Sequence, residues 1–287
     1  MKNIIYFIQA FIIYTFFIII KIIGLSKGRR LSSYIFKKIG PILRSGSITN
    51  ENLENALNTS IELRKKIIDE MWSNYGKTFV EYLYLDKFRI GSSHINIKGK
   101  SILNKIRDEK RKVIFISGHF ANFELMSMEI TKVGINLATI YRPLNNFFLN
   151  PFMEYMRKTY VCKNQIKKGL GGVKESINYL QKKISIALMI DQRVSEGKRL
   201  PFFGNMALTT TLPSQLAAKY QLDIVPIYIA RNENDNFEME IYEPLKISND
   251  ESFETNKLDI AIKLNKILEQ MISRDPSQWI WTHNRWK

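Results

Sequence analysis

The chain has 287 residues, of which 45% are hydrophobic and 24% are charged, and its single cysteine is Cys162. This composition excludes a disordered or collagen-like chain, and one cysteine excludes an internal disulfide or a thiolate metal cluster. The formal net charge of +16 predicts an anionic partner, and charge alone leaves open whether that partner is nucleic acid, anionic lipid or an acidic protein.

The first fifty residues combine the most apolar stretch of the chain with half of its net charge. Residues 4–23 contain one charged side chain, Lys21, and their twenty residues would form a helix about 30 Å long, enough to cross a hydrocarbon core. This segment predicts a membrane helix, with an anchor that enters one leaflet as the alternative. A cleaved signal peptide is disfavoured because the basic sequence KGRR follows at 27–30.

Residues 1–50 carry eight basic side chains and no acidic one, most of them after the apolar segment. Basic residues that follow a span stay in the cytoplasm, so we expect the N-terminus outside and residues 25–287 inside. The chain is therefore predicted to have an anchor at 1–24, a basic juxtamembrane segment at 25–49 that contacts an anionic phospholipid surface, and an α/β domain at 50–287.

After a mostly helical stretch from residue 50 to about Leu85, apolar runs typical of strands alternate with helical segments. The predicted strands lie at 94–99, 113–117, 137–141, 184–190, 223–230 and 237–245. Helices are predicted near 119–132, 147–160, 172–183, 211–220 and 254–273. This order predicts an α/β fold in which a mixed, largely parallel sheet is flanked by helices.

The predicted strand at 113–117 runs through Gly118 into His119, and Glu124 follows five residues later. The carboxyl ends of strands are where α/β folds bind their ligands. With His119 in the turn and Glu124 at the start of the helix, the carboxylate could fix the imidazole tautomer, and His119 could act as a general base. The alternative is a capping histidine beside a solvated glutamate, because a single His/Glu pair is a weak motif.

The sequence GHFANFE at 118–124 resembles the H-x4-D/E motif of the glycerolipid acyltransferase superfamily, and most closely that of the late acyltransferases of bacterial lipid A biosynthesis. Further blocks follow in that family's order: YRPLNN at 141–146, Met156-Arg157, Ile190-Asp191-Gln192, LPFFG at 200–204 and PSQWIWTHNRWK at 276–287. The likeness covers the whole chain. Two departures in the last block, Ser277 for a glutamate and Asn284 for a basic residue, leave that block's role open.

The resemblance implies a glycerolipid acyltransferase-like fold and transfer of a fatty acyl chain from acyl carrier protein to a hydroxyl of a lipid A precursor. It implies no cofactor, no metal and no covalent enzyme intermediate, and a location at the bacterial inner membrane. His119 would deprotonate the hydroxyl while Glu124 holds the ring. Either Arg157 or backbone N–H groups at the start of the helix would stabilise the oxyanion.

The resemblance also implies a set of substrate-binding residues, namely Arg142, Asp191, Gln192 and Asn122. Arg142 would hold a phosphate or sugar of the acceptor, and Asp191 would orient an arginine or bind the substrate. Each of these two residues could equally belong to a structural ion pair. The glycines at 169–172, which lie among lysines, are a further hypothesis for a phosphate-binding loop.

Two alternative functions stay open at this point. The acceptor could be another membrane lipid hydroxyl, of a glycerophospholipid or an amino-acid lipid, although the chain lacks the F-P-E-G-T-R-S type block of glycerol-phosphate acyltransferases. The chain could also be a membrane-tethered protein that binds anions without catalysis. No nucleic-acid-binding motif is found, so we expect no nucleic acid partner. The sequence leaves the acyl chain length and the oligomeric state open.

Overall fold

The computed structural model describes residues 2–43, 46–247 and 253–286. The helices in these ranges are α1 (Lys2–Leu43), α2 (Gly46–Ala56), α3 (Ile61–Glu81), α4 (Leu85–Ile90), α5 (Lys100–Asp108), α6 (Glu124–Lys132), α7 (Asn150–Met156), α8 (Leu170–Gln181), α9 (Leu212–Tyr220) and α10 (Phe253–Arg274). The strands are β1 (Ile95–Lys98), β2 (Ile114–Ser117), β3 (Leu137–Tyr141), β4 (Asn164–Lys167), β5 (Ser185–Met189), β6 (Lys198–Phe202), β7 (Asn205–Thr209), β8 (Ile224–Arg231) and β9 (Phe237–Ile241).

Seven of these strands form one sheet in the order β1-β9-β8-β2-β5-β3-β4. Neighbouring strands are parallel except for β8 and β9, so β1 and β9 run opposite to the other five. Strands β6 and β7 form a separate antiparallel hairpin. The predicted fold class, a mixed and largely parallel sheet flanked by helices, is confirmed.

The central strands are buried on both faces because helices cover the sheet. Every residue of β2 is buried, and helices α6, α8 and α9 pack against β3, β5 and β2 respectively. Parallel strands that are covered on both faces have continuous apolar sequences, and these runs are why the strands could be predicted from the sequence. One hydrophobic core runs through these elements and extends from Leu53 in α2 to Trp281 near the end of the chain.

The six predicted strands are confirmed as β1, β2, β3, β5, β8 and β9, and the five predicted helices after residue 118 are confirmed as α6 to α10. Two helices differ in extent: residues 119–123 form a turn before α6, and α7 continues into a π-helical turn at Arg157–Val161. The sequence missed β4, an edge strand with one buried residue, and the β6–β7 hairpin. In that hairpin Phe203 and Gly204 have positive φ angles of 51° and 73°, which close a two-residue loop.

Helix α1 is divided at Gly24, whose φ of 81° and ψ of 168° lie outside the helical region. Before this kink the helix exposes a row of large apolar side chains, namely Ile4, Ile5, Phe7, Ile8, Phe11, Ile12, Ile18, Ile19 and Ile22. By length and composition the helix Lys2–Ile42 could cross a membrane. The kink falls at the end of the predicted anchor, so the two halves of α1 run in different directions.

The second half of α1 packs closely against α3. Ser32 donates a hydrogen bond of 2.7 Å from its Oγ to the carbonyl of Gly76, and a Cβ added at Gly76 would lie 2.6 Å from the Ser32 carbonyl oxygen. Only glycine at position 76 therefore permits this approach of the two backbones. One face of the predicted juxtamembrane segment is consequently part of the folded domain.

The first half of α1 contacts the rest of the protein at both of its ends. Near its start, the rings of Tyr6 and Phe7 lie edge-on against Phe147 and Phe148, with centroid distances of 6.2 Å and 5.6 Å. Near its end, Lys21 donates a hydrogen bond of 2.5 Å to the carbonyl of Leu83. The first half of α1 thus lies along the surface of the α/β domain and does not stand away from it.

Candidate active site

The order of the strands brings His119 to Asp191. Strands β2 and β5 are parallel neighbours in which Ser117 pairs with Met189, and each strand is followed two residues later by one of these side chains. His119 Nδ1 lies 2.8 Å from Asp191 Oδ1, and the backbone N–H of His119 donates to Asp191 Oδ2 at 2.9 Å. Two residues separated by 72 positions therefore form a hydrogen-bonded imidazole–carboxylate pair at the carboxyl edge of the sheet.

The Asp191 carboxylate accepts a third hydrogen bond, of 2.8 Å, from the indole Nε1–H of Trp279. Burial alone would raise its pKa, but the His119 charge and the hydrogen bonds from His119 and Trp279 lower the pKa to about 2. At neutral pH the ionised Asp191 accepts a hydrogen bond from Nδ1–H, so in the neutral ring Nε2, on the opposite edge, carries no proton. His119 is therefore held in the tautomer that a general base requires.

The predicted contact between Glu124 and the imidazole is wrong. Glu124 is the first residue of α6, and its carboxylate accepts hydrogen bonds from Arg157, at 2.8 Å from Nε, and from the hydroxyl of Tyr82. The physical reason is that the helix begins only at Glu124, so its carboxylate points toward the helix partner α7 and its π-helical turn. The hydrogen bond to the imidazole that was predicted for Glu124 is made by Asp191.

Arg157 lies in the π-helical turn after α7, and its guanidinium packs over the rings of Tyr82 and Tyr141. Burial pulls its pKa down, but the Glu124 carboxylate and the Tyr82 hydroxyl outweigh that effect and raise the pKa above its ordinary value. Nε and Nη2 are occupied by Glu124 and Tyr82, which leaves Nη1 for another partner. The predicted oxyanion arginine is thus a fixed cation at the wall of the cavity.

Asn122 and Asp191 do not have the positions expected of substrate-binding residues. Asn122 is fully buried, donates a 2.9 Å hydrogen bond to Glu81 Oε2 and is not among the residues that line the cavity, so the structure places it away from where a substrate would bind. Asp191 is also buried, and it orients an imidazole and an indole, not an arginine or the substrate. The turn at Ala121, where φ is +42°, turns Asn122 inward.

A cavity of about 550 Å³ contains the remaining predicted residues. His119, Glu124, Arg157, Arg142 and Gln192 all line it. Its apolar lining includes Met126, Ile140, Val173, Ala187, Leu188, Met189 and Leu212. This volume lies in the range of small-molecule sites, and the apolar wall suits a hydrocarbon chain beside the polar groups.

Two cations share one part of the cavity wall. Arg142 and Lys168 both line it, and Lys168 is followed by the glycine-rich start of α8. Burial, followed by the positive charge of Arg142, lowers the pKa of Lys168 from its ordinary value. Like charges that lie this close favour binding of an anion between them.

The closing segment of the chain holds the turn that carries His119. Phe120 and Trp279 form an antiparallel bridge, and the N–H of Ala121 donates to the carbonyl of Gln278 at 3.0 Å. Together with the Trp279–Asp191 hydrogen bond, this gives the last block a structural role that the sequence left open. The sequence feature that could have indicated this structural role is the cluster of aromatic and amide residues in that block. Polar groups that are buried among aromatic rings need hydrogen-bond partners elsewhere in the fold.

A second buried ionic cluster lies behind the turn and was not predicted. Glu81, which is fully buried, accepts hydrogen bonds from Arg29 Nε at 2.7 Å, from Arg231 Nη2 at 3.0 Å and from Asn122. Arg29 belongs to the second half of α1. The cluster thus links the second half of α1 to the turn that carries His119.

The described residues contain no group of three or more His, Cys, Asp or Glu side chains arranged to hold a metal ion. Cys162 is buried, and burial raises the pKa of its thiol to about 11. Its thiol donates to the carbonyl of Leu137. The thiol is therefore a packed core group with little thiolate character at neutral pH.

Comparison with known proteins gives a family match over the whole chain. The family model described as "Bacterial lipid A biosynthesis acyltransferase" matches residues 1–287. The chain is 26% identical over 256 residues to the lipid A biosynthesis palmitoleoyltransferase of Escherichia coli strain K12, an alignment that covers 85% of this chain and 79% of that protein. The same values hold for the lipid A biosynthesis acyltransferase of Shigella flexneri.

A more distant similarity is to a second Shigella flexneri protein, lipid A biosynthesis acyltransferase 2, with 23% identity over 226 residues, covering 76% of this chain and 69% of that protein. Among solved structures, the 1-acyl-sn-glycerophosphate acyltransferase of Thermotoga maritima aligns with a TM-score of 0.37 and 12% identity, covering 86% of this chain and 98% of that one.

Proposed function

This chain belongs to the bacterial lipid A biosynthesis acyltransferase family, and from that premise we propose that it moves a fatty acyl chain from acyl carrier protein to a hydroxyl of a lipid A precursor, with His119 as general base. The observation that carries this proposal is the His119–Asp191 pair at the edge of a cavity with an apolar wall. A base beside a hydrocarbon-lined cavity is what transfer of a fatty acyl chain to an alcohol requires.

The chemistry needs one proton to move twice. His119 Nε2 takes the proton of the acceptor hydroxyl as its oxygen forms a bond with the thioester carbonyl carbon. The tetrahedral intermediate collapses with cleavage of the carbon–sulfur bond, and the imidazolium returns the proton to the leaving thiolate. Asp191 stabilises the imidazolium between these two steps, since its carboxylate is ionised and bonded to Nδ1.

Arg157 is the donor that we assign to the oxyanion. Its guanidinium is fixed by Glu124 and Tyr82 through Nε and Nη2, and Arg157 lines the cavity. A fixed donor of this kind stabilises developing charge without reorganisation during the reaction. Glu124 is therefore a positioning residue that acts through Arg157.

Arg142 and Lys168 are the groups that we assign to a phosphate of the acceptor. Both line the cavity, and burial, followed by the positive charge of Arg142, destabilises the charged form of Lys168 until an anion is bound. Gln192, on the same exit loop as Asp191, supplies an amide for the sugar. These assignments make the cavity a site for a phosphorylated, hydroxyl-bearing lipid.

The donor protein would dock where basic side chains surround the cavity mouth. Lys198 and Arg199 are exposed in β6, whose hairpin adjoins cavity residues Val194 and Gly197. Because acyl carrier protein is acidic, Arg199→Glu should raise the KM for acyl carrier protein by about tenfold, as expected of a rim charge. A matched control is Lys246→Glu. Lys246 is exposed and follows Leu245, which pairs with Ile224, the first residue of β8. It therefore lies at the amino ends of the parallel strands, away from the cavity at their carboxyl ends.

The position of α1 favours an anchor that enters one leaflet. A helix that crossed the bilayer would carry one end about 30 Å from a domain on the membrane surface, yet Tyr6 and Lys21 both lie against the domain. Phe147 and Phe148, beside Tyr6, are themselves partly exposed and extend the apolar surface of the helix. We infer that this surface rests in the cytoplasmic leaflet, next to the lipid acceptor.

An introduced cysteine tests this placement. Cys162 is buried and weakly ionised, so it does not compete for a membrane-impermeant maleimide. In inverted inner-membrane vesicles, Asn3→Cys should react to the same extent as Ser195→Cys, an exposed position beside the cavity. Reaction of Asn3→Cys only in right-side-out vesicles would show that the helix crosses the membrane.

Acyl transfer itself is tested with purified full-length protein in detergent, acyl carrier protein loaded with 12-, 14- or 16-carbon chains, and a purified lipid A precursor. We expect one added chain by mass spectrometry. Transfer to a glycerophospholipid or an amino-acid lipid instead, or an unchanged lipid A acyl count in a deletion strain, would favour the other lipid acceptors. Binding of anions without any transfer would favour a non-enzymatic role.

A further inference from the structure

A second imidazole, that of His283, lies in the cavity and has no part in the reaction described so far. His283 and His119 both line the cavity, and the charges of His119 and Asp191 act on the His283 ring. His283 belongs to the closing segment. The backbone there is fixed because Asn52 Nδ2 donates a hydrogen bond of 2.7 Å to the His283 carbonyl. The ring is therefore a fixed feature of the site.

The hydrogen bond at Nδ1 fixes the tautomer of His283. Nδ1 accepts the backbone N–H of Arg193 at 3.3 Å, and Arg193 lies two residues after Asp191 on the loop that leaves β5. An acceptor nitrogen carries no proton, so the proton of the neutral ring is on Nε2. Burial is the first cause that lowers the pKa of His283, to about 4, so the ring is neutral at physiological pH.

His283 therefore offers one N–H donor and no charge. The charged groups that act on it are Asp191, His119, Lys168 and Arg285. Lys168, together with Arg142, belongs to the part of the wall assigned above to the acceptor phosphate, whereas Arg157 is held elsewhere by Glu124 and Tyr82. The ring thus belongs to the acceptor side of the cavity and not to the oxyanion side.

We propose that His283 binds the acyl acceptor by donating its Nε2–H to an acceptor oxygen next to the hydroxyl that His119 deprotonates. This rests on the proposed function and names a group that contacts the substrate of that reaction. The bond keeps the hydroxyl within reach of His119 Nε2 and needs no proton transfer to or from His283. A neutral donor also avoids competition with His119 for the hydroxyl proton.

Two amide substitutions separate the donor from the rest of the ring. His283→Asn retains a side-chain oxygen near the Nδ1 position, which can accept the Arg193 N–H, but it has no donor at the Nε2 position. His283→Gln places an amide N–H near Nε2. We expect His283→Asn to raise the KM for the lipid A precursor by about tenfold, the effect of one lost substrate hydrogen bond, and His283→Gln to stay within about threefold of the wild type.

One further readout belongs to this experiment. The KM for acyl carrier protein should be unchanged in both variants, because the proposed bond is made to the acceptor and not to the donor. An unchanged acceptor KM in His283→Asn would overturn the proposal. An equal defect in His283→Gln and His283→Asn would also overturn it, because that result would assign the ring to packing.

Nitrogen NMR of the full chain with ¹⁵N-labelled histidine tests the tautomer independently of catalysis. At pH 7 we expect the neutral Nε2–H form of His283, and a shift of that N–H on addition of purified lipid A precursor. A protonated ring, an Nδ1–H tautomer or an unmoved signal would refute the proposal. If the wild type transfers no acyl chain, the proposed function fails, and this spectrum still decides whether His283 contacts the lipid.

Discussion

Two buried carboxylates beside the cavity, Asp191 and Glu124, have opposite partners. Asp191 holds an imidazole, His119, through a 2.8 Å hydrogen bond, and Glu124 holds a guanidinium, Arg157, through hydrogen bonds from Nε and Nη2. An imidazole gains and loses a proton near neutral pH, whereas a guanidinium stays charged throughout. In the proposed mechanism the two carboxylates therefore divide the site into a side that transfers a proton and a side that stabilises charge.

The difference teaches that sheet order, and not distance along the sequence, selects the carboxylate that bonds to His119. Glu124 is five residues from His119, whereas Asp191 is 72 residues away. Because β2 and β5 are adjacent and parallel, the loops after them meet at one edge. The helical start at Glu124 turns the nearer carboxylate to a different cation.

Removal of the imidazole should have the largest effect. His119→Ala is expected to lower kcat for acyl transfer by about 10⁴-fold, the upper range for a general base, because the imidazole that takes the hydroxyl proton in the proposed mechanism is lost. Co-sedimentation with membranes should be unchanged, since α1 is not altered. Full transfer activity in this variant would mean that neither carboxylate serves a histidine base.

Removal of the Asp191 charge should have the second largest effect on kcat. Asp191→Asn keeps the shape but loses the carboxylate that orients Nδ1–H, so kcat should fall by about 10³-fold through the wrong tautomer and loss of imidazolium stabilisation. Thermal unfolding under the same conditions controls for folding. If kcat falls less in Asp191→Asn than in Glu124→Gln, the division of roles between the two carboxylates is reversed.

On the other side of the cavity, Arg157→Lys tests the fixed guanidinium. Lysine keeps the positive charge but cannot bond to Glu124, Tyr82 and the oxyanion together, so kcat should fall by about 10²-fold. The acidic limb of the pH–rate profile should stay in place because His119 still supplies it. A displaced acidic limb would indicate that Arg157 acts on the imidazole and not on the oxyanion.

Glu124→Gln should have a smaller effect than any of these changes. The amide oxygen can still accept from Arg157, so the guanidinium keeps its direction and kcat should fall by about tenfold. Tyr82→Phe is the matched control, because it removes the other partner of Arg157. A loss as large as that of His119→Ala would restore Glu124 as the partner of the base.

The smallest effect is expected on the pH dependence of stability. Because the pKa of His283 is lowered to about 4 in the folded protein, the unfolded chain binds a proton first as the pH falls below about 6.5. Stability should therefore fall as the pH falls from about 6.5 to 4, and the Tm of His283→Asn should fall less over that range. Parallel Tm curves for the two proteins would show that His283 is not held neutral.

The fold could be predicted from the sequence because each buried parallel strand is a continuous run of apolar residues. The sequence also predicted that His119, Arg157, Arg142 and Gln192 face one site, since each follows an apolar strand or matches a family block, and all four line the cavity. Their chemical roles stay predictions until the variants are measured.

Hydrogen-bond and ion-pair partners that depend on tertiary packing could not be predicted from the sequence. Nothing in linear order places Trp279 on Asp191, or Glu81 between Arg29 and Arg231, because these contacts join elements that lie far apart along the chain. Asn122 was predicted to bind substrate because it lies inside the motif, yet the positive φ at Ala121 directs it to Glu81. A motif names the residues of a site without giving the direction of each side chain.

The low-field proton NMR spectrum of ¹⁵N-histidine-labelled protein measures the bond between imidazole and carboxylate directly. The signal of His119 Nδ1–H should be present in the wild type and in Glu124→Gln, and absent in Asp191→Asn. Loss of that signal in Glu124→Gln together with its retention in Asp191→Asn would contradict the assignment of Asp191 as the residue that holds the base.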